Sequence, residues 1–242
     1  MAANWNGFRC EEFIFENKPA VLVFPREDTA RGQLAVKMEY WDAFPEIELQ
    51  LVAQGFHLAY VQNENRWATK ADCDRKARLV RHLAEAYGLS ERCVPIGMSC
   101  GGAFAVRFAG FYPELVRCLY IDAPVLNYVS SPGKLGEAWM EEVWEKEFIH
   151  AYPGIRRYQL PGFTEHPINM TDVLLAHQIP ILMVCGQEDT TVAYNENGRL
   201  LEEAMEGTGL LQVIQVPYRG HHPHGLIGSN EPIIRWILDH CA

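Results

Sequence analysis

The sequence predicts an α/β fold with a doubly wound, mostly parallel sheet, an N-terminal antiparallel hairpin and a small helical cap insertion. Three observations carry this. Short apolar runs of strand length alternate with longer amphipathic runs through most of the 242 residues, which is the pattern of a parallel sheet with crossover helices. The first two strand-like runs are joined by a short polar turn, Glu16-Asn17-Lys18-Pro19, and an antiparallel start of this kind is compatible with such a sheet. The alternation stops between residues 127 and 178 and resumes at Pro180. The expected organisation is therefore a core of residues 1–126 and 179–242 with a cap of residues 127–178.

Phe8 to Phe15 and Ala20 to Phe24 read as the strands of the hairpin. Gln33 to Tyr40 is the next strand. Phe44 to Gln54 is a helix with Ile47, Leu51 and Val52 on one face and Gly55 as its stop. His57 to Val61 is a strand, and Ala71 to Tyr87 is a helix closed by Gly88. Cys93-Val94-Pro95-Ile96 is a short strand, followed by a helix that ends near Tyr112-Pro113, and Val116 to Ile121 is a further strand. Beyond the cap, Ile181 to Cys185 and Leu211 to Val216 are strands, Tyr194 to Met205 is a helix, and Ile233 to His240 is the last helix. Within the cap, Leu135 to His150 reads as one amphipathic helix. Trp139, Val143, Trp144 and Phe148, with Tyr152 beyond, fall mostly on one face, either packed on the core or lining a substrate pocket.

Composition narrows the function classes. The chain is 48% hydrophobic and 21% charged, enough apolar material for a sizeable core. Its net charge of −10, with basic residues scattered, disfavours nucleic acid and an anionic membrane surface as partners. No apolar run approaches the ~20 residues of a membrane span, and the first residues carry no secretory signal. Seven cysteines without a C-x-x-C pair suggest a reducing, cytoplasmic setting with no disulfide framework.

Chemistry concentrates at Gly97-Met98-Ser99-Cys100-Gly101. The pentad fits G-x-S-x-G, and it lies between a strand and a helix, where a sharp turn lifts the serine hydroxyl above the sheet end as a nucleophile. Glycine at 97 and 101 is expected to let strand and helix pass closely. A serine hydroxyl needs a base, and the base needs an orienting acid, in the order Ser…Asp/Glu…His for this architecture. The acid is read as Asp189, a few residues past the strand Ile181 to Cys185. Asp122, after Val116 to Ile121, is the second option, or it braces the adjoining loop. The base is read as His221 in Gly220-His221-His222-Pro223-His224. The three histidines suggest a metal site, but neighbours in an extended loop do not all face one ion, so no metal and no cofactor are expected. His222 is placed at the pocket instead. The oxyanion hole needs two backbone N–H groups. Cys100 supplies one by its position, with its thiol not the nucleophile. The other comes from the loop after Gln33 to Tyr40, at Trp41 or Asp42. Asp42, Asp122, Trp139, Trp144, His166 and His222 are the candidate pocket residues.

The chain resembles the α/β-hydrolase superfamily along essentially its whole length, on the elbow pentad and the acid and histidine loops. Tyr40-Trp41-Asp42-Ala43-Phe44-Pro45, Tyr112-Pro113-Glu114, Asp122-Ala123-Pro124-Val125, His166-Pro167-Ile168-Asn169 and the histidine loop are similar in particular to a bacterial group of hydrolases found beside polysaccharide-degrading enzymes. The resemblance implies the α/β-hydrolase fold. It also implies cleavage of a carboxylic ester, with a small acyl group on a sugar or other small alcohol, through an acyl-enzyme. The rivals are a peptidase of the prolyl-oligopeptidase type, which is expected to carry a further domain, and a non-catalytic ligand-binding protein on the same scaffold. The expected partner is a small-molecule ester, and exposed cap aromatics would suit a homodimer.

Overall fold

Among the described residues nine strands are spaced along the chain: β1 (Ala3–Trp5), β2 (Phe8–Phe15), β3 (Lys18–Val23), β4 (Leu34–Lys37), β5 (His57–Val61), β6 (Cys93–Met98), β7 (Leu119–Asp122), β8 (Ile181–Gly186) and β9 (Leu211–Val216). In the computed structural model, which describes residues 3–138 and 142–242, they form one sheet in the order β1-β2-β3-β5-β4-β6-β7-β8-β9. The first three strands and β5 pair antiparallel, and every later pairing is parallel. This is the doubly wound, mostly parallel sheet of an α/β-hydrolase fold.

Alternate strand residues feed two cores. Helices α1 (Glu46–Ala53) and α7 (Glu231–Cys241) cover one face, where Ile47, Leu51, Ile233 and Ile237 meet Ala35, Tyr120 and Val184. Helices α2 (Lys70–Tyr87), α3 (Cys100–Phe111) and α6 (Gly198–Ala204) cover the other, where Leu79, Phe104 and Leu201 join a cluster that contains Val36, Ile121 and Met183. Polar punctuation sets the helix ends. The Thr69 side chain caps α2 by accepting from the Asp72 amide, and Gly88 ends it in the left-handed conformation at φ 65°.

Because β4 lies between β5 and β6, the chain reverses its winding direction between those neighbours. A crevice opens outside the strand ends at such a switch point. β6 ends there, so the sheet's winding order itself places Ser99 in a binding position.

Three elements differ from the sequence expectation. β1 was not anticipated. It is short, but it closes a second hairpin through Asn6-Gly7, both at positive φ (49° and 92°), a turn pair whose signal is in the sequence. The single cap helix over 135–150 does not form at its start. The Glu196 carboxylate accepts from the Glu137 and Ala138 amides, at 2.6 and 3.2 Å, and holds that stretch as a loop. Helical backbone is present at Trp144–Phe148, wound as a π-helix, and continues through α4 (Ile149–Ala151), followed later by α5 (Thr171–Ala176). The helix expected over 194–205 is broken at Asn197. That side chain accepts from the Leu126 and Asn127 amides at 2.9 and 3.0 Å, and helix α6 starts only after it.

Aromatic side chains from residues 127–178 form a packed cluster with Trp67. Trp67, Tyr128, Phe148, Tyr152 and Phe163 contact one another edge-on or tilted, and the Tyr128 and Tyr152 hydroxyls both donate to the Trp67 carbonyl, at 2.8 and 2.9 Å. Buried Arg107 on α3 ties the cap down through the Glu165 side chain, at 2.5 Å, and through its carbonyl. No helix among the described residues is long and apolar enough to cross a membrane.

Candidate active site

Ser99 follows the last residue of β6 and precedes the first residue of α3, at φ 55° and ψ −122°. A non-glycine residue with this backbone is strained, and the surroundings enforce it. The Ser99 amide donates to the Asp122 carbonyl at 2.9 Å, and its own carbonyl accepts from the Gly102 and Val125 amides. Glycine is needed at two neighbouring positions. A Cβ on Gly97 would lie 2.1 Å from the Gly101 carbonyl oxygen, and one on Gly102 would lie 2.4 Å from Pro124 Cβ. Gly101, expected to be a close approach, is roomier, with Glu39 at 3.4 Å. The unusual backbone angles belong to the serine itself.

His221 bridges the serine and an acid. Its Nε2 lies 3.0 Å from Ser99 Oγ, and its Nδ1 lies 2.8 Å from Asp189 Oδ2. The other Asp189 oxygen accepts from the Thr191 and Val192 amides, both at 2.9 Å, which fixes the carboxylate and leaves Oδ2 to the imidazole. The three side chains come from loops after β6, β8 and β9, all at the carboxyl ends of parallel strands.

These groups open into a cavity of about 350 Å³ lined by Tyr40, Ala43, Phe44, Arg66, Met98, Thr191, His222 and His224 together with Ser99 and His221. The His222 ring stacks on Phe44 at 15°. Burial, then neighbouring His221 and His224, lower the His222 pKa, so it is neutral at neutral pH. Arg66 lines the cavity, and its guanidinium binds both oxygens of Glu147 at 2.6 and 2.7 Å. Burial opposes its charge, but Glu147 together with Cys100 and Tyr40 outweighs this and raises its pKa.

Cys100 is the first residue of α3, so its amide has no carbonyl one turn earlier in that helix to bond. Burial pushes its thiol up to about 11, which leaves it protonated and unsuited to attack. Trp41 turns its ring away from the cavity, onto Trp5 and Tyr60. It follows Tyr40, whose φ of 58° takes the left-handed bend that glycine commonly supplies.

Other candidates sit elsewhere. Asp42 is outside the cavity, because left-handed backbone at φ 66° turns it to the N-terminal hairpin, where it accepts from Trp5 Nε1 at 2.8 Å. Asp122 is wholly buried and braces the histidine loop. It accepts from Arg219 at 2.8 and 3.2 Å, from the Gly225 amide at 2.6 Å and from the Tyr120 hydroxyl at 3.0 Å, and it lies 3.1 Å from His224 Nδ1. His166 is consumed by the cap backbone, with Nδ1 accepting from Tyr128 N and Nε2 on the Leu160 carbonyl. Trp144 stacks on Phe148 beneath Arg157, within the packed cluster. Trp139 lies outside the described residues. The histidine loop is not extended as expected. It bends at His221, Pro223 and Gly225, so the rings of His221, His222 and His224 converge. Sequence reasoning missed Arg66, Phe44, Thr191 and Tyr40. Their loops join the site only through the sheet order, although Tyr40 and Phe44 flank the loop singled out for the oxyanion hole.

The sequence profile of the prolyl oligopeptidase family matches residues 60–241. The chain belongs to the prolyl oligopeptidase family. The match runs from within β5 to the end of α7, so it contains Ser99, Asp189 and His221. No curated protein matches the chain in sequence. Among solved structures, it is similar to a protein described as a putative dipeptidyl aminopeptidase IV from Bacteroides ovatus. The two share 14% identity with a TM-score of 0.70, over 96% of this chain and 35% of that one. An acylaminoacyl peptidase from Pyrococcus horikoshii gives 13% identity and a TM-score of 0.69, over 94% and 39%. A fluorophosphonate-binding serine hydrolase, FphF, from Staphylococcus aureus gives 13% and 0.70, over 97% and 98%. The chain thus spans little more than a third of the two peptidases and nearly all of FphF. This prolyl oligopeptidase family member has the α/β-hydrolase fold.

Proposed function

We propose that the protein is a metal-independent serine hydrolase that cleaves the acyl–nitrogen bond of small peptides or aminoacyl amides. The observation that carries the reading is His221 held between Ser99 Oγ and Asp189. With its proton on Nδ1, donated to Asp189, the imidazole takes the Ser99 proton at Nε2 as Oγ attacks the acyl carbon. The Cys100 amide, with Trp41 as the second donor, stabilises the oxyanion. His221 then hands the proton to the leaving nitrogen, and a water activated by the same ring releases the acyl group. Family membership supports an amide bond over the ester suggested by the sequence motifs.

A second reading is a carboxylic ester with a small acyl group on a sugar or other small alcohol. Its support is the cavity itself, whose roughly 350 Å³ walled by Phe44, Met98 and His222 suits a small acyl group or a flat ring. Matched substrates separate the two: aminoacyl and dipeptidyl p-nitroanilides against p-nitrophenyl esters of increasing chain length and acetylated sugars. The proposal expects anilide turnover that Ser99→Ala abolishes. Ester turnover with no anilide turnover would replace the first reading with the second.

A further inference from the structure

The bent loop after β9 gathers three imidazoles on one cavity. Ring centroids of His221, His222 and His224 lie 4.6, 5.0 and 5.4 Å apart. Each ring offers a nitrogen within 4.8 Å of one from each of the others. All three line the cavity that holds Ser99.

Two of the rings are oriented as metal-binding imidazoles usually are. A carboxylate sits on Nδ1 in each case, Asp189 behind His221 and Asp122 behind His224. Such a partner keeps the proton on Nδ1, fixes the ring, and leaves Nε2 as a lone-pair donor facing outward. The third ring, His222, is the exposed one. Tetrahedral coordination at about 2.0–2.1 Å asks the three nitrogens to close to roughly 3.4 Å of one another. The exposed His222, stacked on Phe44, is the ring with room to move. Arg66 in the cavity lining is matched by Glu147, Arg219 is matched by Asp122 behind His224, and the Asp189 carboxylate stands behind His221.

We propose that His221, His222 and His224 form a site for a borderline-soft divalent cation, Zn²⁺ above all, and that the bound ion switches hydrolysis off. Imidazole nitrogens suit Zn²⁺ and exclude Mg²⁺ and Ca²⁺, which take oxygen ligands. The three Nε2 or free ring nitrogens and one water complete four-coordination. With Nδ1 of His221 and of His224 turned to its carboxylate, Nε2 is the atom each ring offers the ion. The ion occupies the His221 lone pair that otherwise accepts the Ser99 hydroxyl proton. Metal and catalysis therefore exclude one another. The inhibitory half of this inference rests on the serine-hydrolase reading; the binding half does not.

The test separates the two. Zn²⁺ is titrated by calorimetry into the chelator-treated Ser99→Ala protein, and Co²⁺ is followed by its visible absorption. The expected result is one ion per chain with micromolar affinity and a tetrahedral Co²⁺ spectrum. His222→Ala, a change at an exposed position whose folding is checked by circular dichroism, should weaken binding by about tenfold or more. Mg²⁺ should give no saturable heat. In the unmodified protein, Zn²⁺ should inhibit turnover and EDTA should restore it, while His222→Ala should need about tenfold more Zn²⁺ for the same inhibition. An active hydrolase with no saturable Zn²⁺ binding, or with binding unchanged in His222→Ala, overturns the site. Stoichiometric binding lost in His222→Ala, in a protein without hydrolase activity, supports the site and overturns the catalytic reading instead.

Discussion

Asp122 at the end of β7 and Asp189 just past β8 each hold Nδ1 of a histidine from the loop after β9, His224 at 3.1 Å and His221 at 2.8 Å. The two pairs are neighbours on adjacent parallel strands, yet their acids are bonded differently. Asp122 is fully buried and carries Arg219, the Tyr120 hydroxyl and the Gly225 amide besides its histidine. Its charge is already met by the guanidinium. Asp189 has only two backbone amides on its other oxygen, so its charge is directed at His221. Only His221 reaches Ser99. A carboxylate matched by an arginine serves as a brace for a loop. One left to face an imidazole can stabilise the imidazolium that forms during proton transfer. Sequence order favoured Asp189 as the acid, and the hydrogen-bond partners supply a physical reason.

Exchanging the acids sharpens the contrast. Asp189→Asn should lower kcat by about 10⁴-fold, because the imidazole loses the partner that sets its tautomer. Its melting temperature should change little, and a steady-state assay beside a thermal melt checks both. If Asp189→Asn kept its turnover, the division of roles would fail.

Asp122→Asn should act through stability. It leaves Arg219 buried without a counter-charge, an effect of about 3–5 kcal/mol. Urea unfolding should show that loss, and the folded fraction should retain turnover well above that of Asp189→Asn. A stable Asp122→Asn protein without turnover would move the acid to Asp122.

A smaller effect follows on acidification. Burial opposes ionisation of Asp122, but His224 and Arg219 outweigh it and hold its carboxyl below the usual carboxylate range. A depressed folded pKa means that the unfolded chain takes up the proton first as pH falls. The stability Asp122 contributes is thus complete above its unfolded value of about 3.9 and is lost as pH drops through the lower folded value. Wild-type stability should fall steeply below about pH 4, and Asp122→Asn should show a shallower slope in that window. Equal slopes would mean that the buried acid is not ionised in the folded protein.

The parallel strands and the elbow were legible in the sequence, because β6 to β9 are short apolar runs bounded by glycine, proline and polar residues. That Ser99, Asp189 and His221 lie side by side was readable for a related reason: each follows a strand end, and strand ends converge in this architecture. What escaped was set by contacts between distant segments. Glu196 unwinds the start of the expected cap helix, and Asn197 breaks α6, by bonding amides some sixty to seventy residues away in sequence. Neither leaves a periodic signature. The convergence of three histidines escaped as well, because the loop was read as extended and its bends follow from the Asp122 brace beneath it. Arg66 reached the site through the placement of β5, and its partner Glu147 comes from the cap.

The central claim is that Ser99 is a nucleophile activated by His221. Labelling with a fluorophosphonate probe, followed by mass spectrometry of the modified peptide, tests it most directly. The account predicts one label per chain on Ser99, lost in Ser99→Ala and strongly slowed in His221→Ala. No label on the folded protein, or a label undiminished in Ser99→Ala, would contradict it.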